Sequence, residues 1–315
     1  LLALLAATAS TAGERFTLAI MPDVQQESAS PRFADRLTWL VANREKLNLK
    51  AVFQVGDLMN YNDDAQYQHQ SDGLKVLDAA KMPYVLTLGN HDTAAVRVDG
   101  GSAAPGNVNL NLRNTARFNH YFPLDRFRLL AGTFEPGKID NAYHLFEAGG
   151  LKWCVINLEL WQRAPVVEWA KSVADQFAAR NIILVTHAYL TGDSKIQQDN
   201  GGYGNNSPQY LFDHMVKRCP NVRLIFSGHT GVHGYRTDTI AGGATVYTWL
   251  QCYHDTVNNP VRLLTIDTQA GTMASRVYCP NLDKDKDDGS TRTVTGIKWV
   301  KPVVTAPRNL HYSLK

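Results

Sequence analysis

Tyr84-Val85-Leu86-Thr87-Leu88-Gly89-Asn90-His91-Asp92 is the stretch on which the reading of this chain turns. YVLTL is a short β-rich run, the pattern of a buried strand. A glycine ends it, and an amide, an imidazole and a carboxylate follow at once. The same grammar recurs on both sides. FTLAIMP precedes Asp23-Val24-Gln25, AVFQV precedes Gly56-Asp57, NIILV precedes Thr186-His187, and VRLIFS precedes Gly228-His229. Five strands thus deliver Asp, Gln, Asp, Asn, His and His to one edge of a sheet. That mixture of oxygen and imidazole ligands suits a pair of divalent metal ions.

Around these motifs the chain alternates. A strand at 16–21 is followed by a helix at 31–47 with Phe33, Leu37, Leu40 and Val41 on one face. Strand 51–55, a helix near 63–80 and strand 84–88 come next. This β-α-β-α-β order predicts parallel strands joined by right-handed crossovers. Residues 93–142 break the rhythm with a Gly-, Asn- and Arg-rich insert, and 191–207 form a second polar loop; long loops of this kind usually serve function. Strands 143–148 and 151–159 read as a hairpin about Gly149-Gly150. A helix near 165–180, strand 182–186, a helix at 208–218 and strand 222–227 follow. Strands at 244–250, 261–267 and 273–279 close the order.

The motifs in sequence resemble those of the calcineurin-like metallophosphoesterases, whose pattern runs D-x-H, G-D, G-N-H-[DE], a lone His and G-H-x-H. The resemblance covers roughly residues 16–250. It implies an α/β fold: a four-layered α/β/β/α sandwich of two mixed β-sheets flanked by helices, here with a C-terminal β extension. The domain would run over 13–280, with 281–315 as the extension. It also implies two divalent or trivalent metal ions (manganese, iron, zinc or cobalt) and hydrolysis of a phosphate monoester or diester by water activated between them.

Carried over residue by residue, Asp23 and Gln25 would hold the first metal. Asp57 would bridge the pair, and Asn90, His187 and His229 would complete the second. His91 would act on the phosphate or leaving group, with Asp92 placed to orient it. Two positions depart from the family. Gln25 stands where the family has His, and an amide is the weaker ligand. The second His of G-H-x-H falls on Gly231, so His233, two residues on, is the candidate to replace it. A loosely held first metal is the expectation. Asn60 stands where the purple acid phosphatases carry Tyr, which excludes that subgroup. Among residues outside the motifs, Arg97, Arg113, Lys195 and Tyr203 sit in the polar loops within possible reach of phosphate. The remaining histidines read as structural, with His254 in WLQCYHD the first exception.

The balance of 44% hydrophobic and 19% charged residues is that of an ordinary globular chain, and a net charge of +3 without a basic block predicts no stable nucleic-acid complex. The partner expected is a small-molecule or lipid phosphate ester. Residues 1–12, Leu- and Ala-rich and then small, read as a signal-peptide remnant with cleavage after Ala9 or Ala12, and so as an extracytoplasmic (periplasmic or secreted) protein. No run is long enough for a transmembrane helix. Four cysteines allow two disulfides, although Cys154 in LKWCVINL reads equally as a buried thiol. No nucleophile elbow or Walker loop competes. The alternative function is a non-catalytic binding or scaffold protein on a degraded phosphoesterase fold.

Overall fold

The computed structural model describes residues 15–98, 106–255 and 257–301; the signal-like segment 1–12 lies outside them. Fourteen strands occur among the described residues. They are β1 Phe16–Met21, β2 Leu49–Gln54, β3 Tyr84–Val85, β4 Leu130–Thr133, β5 Ala142–Ala148, β6 Leu151–Leu158 and β7 Asn181–Thr186. β8 Val222–Ser227, β9 His233–Ile240, β10 Ala244–Gln251, β11 Val261–Asp267, β12 Thr272–Cys279, β13 Lys284–Asp285 and β14 Arg292–Val294 complete the set. They form two seven-stranded sheets. One runs β13-β12-β11-β1-β2-β3, with β14 also paired to β12; the other runs β4-β5-β6-β7-β8-β10-β9.

Each sheet is mixed. β1, β2 and β3 are parallel, as the β-α-β-α-β order predicts, and β11 joins β1 antiparallel. β6, β7, β8 and β10 are parallel, flanked by the antiparallel β5 and β9. The carboxyl ends of both parallel groups are where the motifs fall. This is the usual place for chemistry in sheets of parallel strands.

Strand alternation builds the layers. Phe16, Leu18 and Ile20 of β1 and Phe53 of β2 face Val155, Ile183, Val185, Leu224, Phe226 and Trp249 of the other sheet, making a central apolar layer. Ala19, Met21 and Val52 point the other way, onto helices Arg32–Ala42 and Asp64–Ala79. Cys154, Ile156, Ile182, Leu184 and Ile225 cover the outer face of the second sheet against helices Ala164–Gln176 and Pro208–His214. The result is the expected α/β/β/α sandwich.

Several boundaries differ from the sequence reading. The helix at 31–47 stops at Ala42 and restarts as a single turn, Arg44–Leu47, so Pro31 sits just before the helix. Paired strand at 84–88 is confined to Tyr84–Val85; Leu86–Leu88 run on unpaired into the motif. The insert contributes helices Val108–Leu112 and Ala116–Tyr121 and strand β4. All four cysteines are buried free thiols, without disulfides. Among the described residues, no helix is long and apolar enough to cross a membrane.

Two buried polar groups set measurable terms in stability. His144 is fully buried on β5, and its Nε2 donates to Asn157 Oδ1 at 3.0 Å, because the Asn157 amide nitrogen is donated to Ile139 O. Burial lowers its pKa to about 4. The folded protein therefore takes up this proton later than the unfolded chain does. The contribution is present in full above pH ~6.5 and is lost as pH falls from there to about 4, a change of roughly 3 kcal/mol. Denaturant titrations of His144→Gln are expected to show a flatter stability profile over that window; an unchanged slope would disprove the assignment. The second group is the Glu27–Arg36 pair. Arg36 is wholly buried and grips Glu27 with both terminal nitrogens, at 2.9 and 2.5 Å, while its Nε donates to Asn259 O.

Candidate metal centre

The first motif leaves β1 through Pro22. Asp23 is 2% exposed, and the chain then makes a 3-10 turn over Gln25–Glu27 that the Glu27–Arg36 pair anchors. The second motif leaves β2 at Val55. Asp57 adopts a left-handed backbone with φ of 56°, an uncommon conformation for a non-glycine residue and one that clusters at functional sites. Helix Asp64–Ala79 braces this turn. Gln66 Oε1 accepts from the Asn60 and Tyr61 amides, and Gln70 donates to Leu58 O.

Two glycines make room where ligands from different motifs meet. A Cβ on Gly89 would lie 2.0 Å from Asp57 Oδ1, and one on Gly228 would lie 1.8 Å from Asp23 Oδ1. Neither position tolerates a side chain while those carboxylates stay in place.

Five of the predicted residues converge around Asp57. His187 donates from Nδ1 to Val55 O at 2.9 Å, and its Nε2 lies 3.1 Å from Asp57 Oδ2. His229 also has a left-handed backbone, and its ring lies edge-on to His187 at 4.8 Å and to Trp161 at 5.5 Å. Asp57, His187 and His229 each present a ligand atom within 4.8 Å of the others. Asn90 donates through its amide nitrogen to Tyr203 OH at 3.2 Å, and its Oδ1 is buried without a partner. The His91 amide donates to Asp57 Oδ1 at 3.0 Å, and the His91 ring engages Asn60 O through Nδ1. Gln25 Nε2 lies 3.3 Å from Asp57 Oδ2 and 2.9 Å from His254 Nε2.

The best evidence that this cluster suits cations is the set of buried atoms it leaves without hydrogen-bond partners. These include Asp23 Oδ1, Gln25 Oε1 and Asn90 Oδ1. Stranding one such atom costs about 1–3 kcal/mol. Three oxygens of ligand type, on motif residues, fit a site for metal ions.

The buried charges also shift one another. Burial alone would raise Asp57, but His187 and then His91 overcome it and hold the carboxyl well below its ordinary value. Burial pulls His187 down, yet Asp57 and Asp23 outweigh it and keep the ring up at about 9. Burial, aided by His187, pushes His229 down to about 3, leaving a neutral imidazole. Burial lifts Asp23.

Three expectations meet a different arrangement. Asp92 does not reach the His91 ring. Its Oδ1 accepts from the Leu58 and Met59 amides at 2.7 and 2.9 Å, and its Oδ2 accepts from the Gly89 amide at 2.8 Å. It clamps the two motif turns together instead. His233 is not brought to Asp23. It opens β9, opposite Gln251, and its ring stacks 6.0 Å from Tyr253 beside a cavity of about 200 Å³ lined by Ser194, Trp249 and Arg262. Arg113 is directed to Leu160 O, Trp161 O and the Glu159 carboxylate, and Lys195 pairs with Asp193.

Sequence reasoning passed over Cys252 as a ligand and left His254 as the first exception among the histidines read as structural. Cys252 Sγ donates to Asp23 Oδ2 at 3.2 Å and lies 3.2 Å from His254 Nε2, which is itself 3.5 Å from Asp23 Oδ2. Asp23, Cys252 and His254 form a second cluster with ligand spacing. The signal was available. WLQCYHD ends β10, and β10 runs parallel to β8, so its carboxyl end lies on the same edge as Gly228-His229.

With this geometry in view, the comparisons with known proteins are consistent. Residues 16–233, most of the chain, match the calcineurin-like phosphoesterase family, and the chain belongs to it. The uncharacterized protein YvnB of Bacillus subtilis (strain 168) is 27% identical over 237 residues. That match covers 73% of this chain and 16% of YvnB, so the chain spans a small part of that relative's length. Among solved structures, the Haemophilus influenzae NAD nucleotidase NadN aligns over 89% of this chain and 49% of its own, at 12% identity and a TM-score of 0.46. GAP50, the anchor in the inner membrane complex of Plasmodium, aligns over 92% of this chain and 90% of its own, at 9% identity and a TM-score of 0.48. Membership of the family implies metal-dependent hydrolysis of phosphoesters, and the family typically binds a dinuclear centre.

Proposed function

We propose that this protein hydrolyses a phosphate ester, monoester or diester, of a small molecule or lipid, at two metal ions that share Asp57. The observation that supports this reading is the set of buried, partnerless ligand-type oxygens on Asp23, Gln25 and Asn90, beside the cluster of Asp57, His187 and His229. Asp57, Asn90, His187 and His229 would hold one ion, and Asp23, Gln25 and Asp57 would contribute to the other. Ions held there would supply a lowered pKa for water and neutralisation of phosphoryl oxygens.

The chain's own work is to keep its ligands fixed and to handle the proton of the departing alcohol. Asp92 and Gln66 hold the turns that carry Asp57 and Asn90. Tyr203 fixes which face of the Asn90 amide looks inward. Asn60 O accepts from His91 Nδ1, which orients the ring and leaves Nε2 as the atom that would give a proton to the leaving oxygen.

The test is hydrolysis of a chromogenic phosphate monoester beside the matching diester by metal-stripped protein, supplied in turn with manganese, iron, zinc or cobalt. Metal-dependent turnover is expected, and the preferred ester narrows the substrate. His91→Ala should lower turnover by about 10²–10⁴ with metal content unchanged. Loss of metal and turnover together would instead make His91 a ligand or a structural residue. No turnover with any metal on either ester would favour a non-catalytic binding role.

A further inference from the structure

The family pattern supplies its last first-metal ligand from the second His of G-H-x-H, and here that position is Gly231. The nearest imidazole in sequence, His233, faces away beside Tyr253. Two ligand-type atoms, Cys252 Sγ and His254 Nε2, nevertheless lie against the carboxylate of Asp23, whose Oδ2 also accepts from the His229 amide and whose Oδ1 is buried without a partner.

We propose that the first metal position of this chain is completed by Cys252 and His254 from the end of β10, giving a mixed thiolate, imidazole and carboxylate site that takes zinc. The proposal rests on the reading of the cluster as a metal centre and adds which residues close it. Sγ of Cys252, Nε2 of His254 and the Asp23 carboxylate lie within 4.8 Å of one another, the span of atoms that can share one ion. Asp23 Oδ1 and Gln25 Oε1, on residues 2% and 3% exposed, are buried without partners beside them. Gln25 is assigned with its nitrogen toward His254 and Asp57; turning the amide by 180° would present Oε1 to the same space.

The backbone supports the arrangement. Cys252 N donates to Val232 O, which continues the β9–β10 ladder, and Tyr253 then takes a left-handed conformation with φ of 43°. That turn brings His254 back over Asp23 instead of letting it follow the strand outward. Cys252 is 1% exposed whereas the His254 side chain is 39% exposed, so the thiol forms the floor of the site and the imidazole its rim.

The two positions then differ in chemistry. The Asn90, His187 and His229 side is built from oxygen and imidazole, whereas the Asp23 side includes a sulfur. Thiolate ligands select zinc over manganese or magnesium. Binding there replaces the Cys252 S–H bond with a sulfur–metal bond and releases that proton to solvent.

Cobalt(II) substitution reads this directly, without turnover. Metal-stripped full-length protein would be titrated with cobalt and followed by absorbance, beside Cys252→Ser, His254→Ala and His233→Ala. The wild type is expected to develop a near-ultraviolet thiolate-to-cobalt charge-transfer band that Cys252→Ser lacks. His254→Ala should weaken the thiolate-bearing site by about tenfold or more, while His233→Ala titrates like the wild type. Cobalt bound with visible ligand-field absorption but no charge-transfer band would overturn the thiolate assignment. An unchanged titration of His254→Ala, or weakening by His233→Ala, would overturn the imidazole assignment. A charge-transfer band in protein that hydrolyses no ester would leave the ligand set standing and count against the hydrolytic reading. No cobalt binding at all would overturn both.

Discussion

Asp57→Asn is expected to lower phosphoester turnover by about a thousandfold or more, comparable with deleting a preorganised charge-stabilising group from an enzyme site. The change removes one negative charge and one of two equivalent oxygens. In the structure both oxygens are engaged: Oδ1 accepts from the His91 amide, and Oδ2 faces His187 Nε2 at 3.1 Å and Gln25 Nε2 at 3.3 Å. An Asn nitrogen in the second position would meet another donor at Gln25 and could not bind a cation. Metal content should fall with activity. The fold should survive, because the backbone at position 57 is held independently: Val24 N donates to Asp57 O, and Asp92 holds Leu58 and Met59. Unchanged far-ultraviolet dichroism with metal content near zero is the expected outcome. Full turnover by this variant would refute the assignment of Asp57 as the bridging group.

Glu27→Ala is expected to destabilise the protein by about 3–5 kcal/mol, the cost of leaving a buried charge without its partner. Arg36 is wholly enclosed, and Glu27 neutralises it through both oxygens. Asn259 O would be its main remaining acceptor. The loss should appear as a lower denaturation midpoint with an unchanged slope. Because the pair also anchors the 3-10 turn containing Gln25, the first metal position should loosen more than the second. Replacing both residues with apolar side chains of similar size should recover much of the stability. A Glu27→Ala protein as stable as the wild type would show that Arg36 reaches water or another acceptor.

Much of the fold was legible because strands and motifs reinforce each other. Five β-rich runs, each ending in chemistry, leave few ways to build a sheet with all those ends on one edge. The crossover helices followed from their apolar faces. What stayed hidden depends on contacts between segments far apart in sequence. β9 carries His233-Gly-Tyr-Arg-Thr-Asp-Thr-Ile240, which alternates weakly and is held mainly by its eight-residue pairing with β10. β13 and β14 are two and three residues long and exist because β12 offers them an edge.

The site divides the same way. Asp23, Asp57, Asn90, His187 and His229 could be placed from local pattern alone. Asp92 could not, since an acid beside His91 in sequence turned out to bond amides of the neighbouring motif. His233 and His254 were ordered by proximity to a familiar motif, whereas what brings a side chain to Asp23 is the strand neighbouring β8 in space.

The candidate ligands come from two directions. β1, β2 and β3 present Asp23, Gln25, Asp57 and Asn90 from one sheet, while β7, β8 and β10 present His187, His229, Cys252 and His254 from the other. Between the sheets lies the apolar layer in which Phe53 meets Phe226 at a ring separation of 6.4 Å. That layer works as a gauge block. Its thickness sets the spacing between the two groups of candidate ligands, and close-packed interiors transmit changes in side-chain volume instead of absorbing them. The hydrophobic residues farthest from the chemistry in character are therefore the ones that calibrate it.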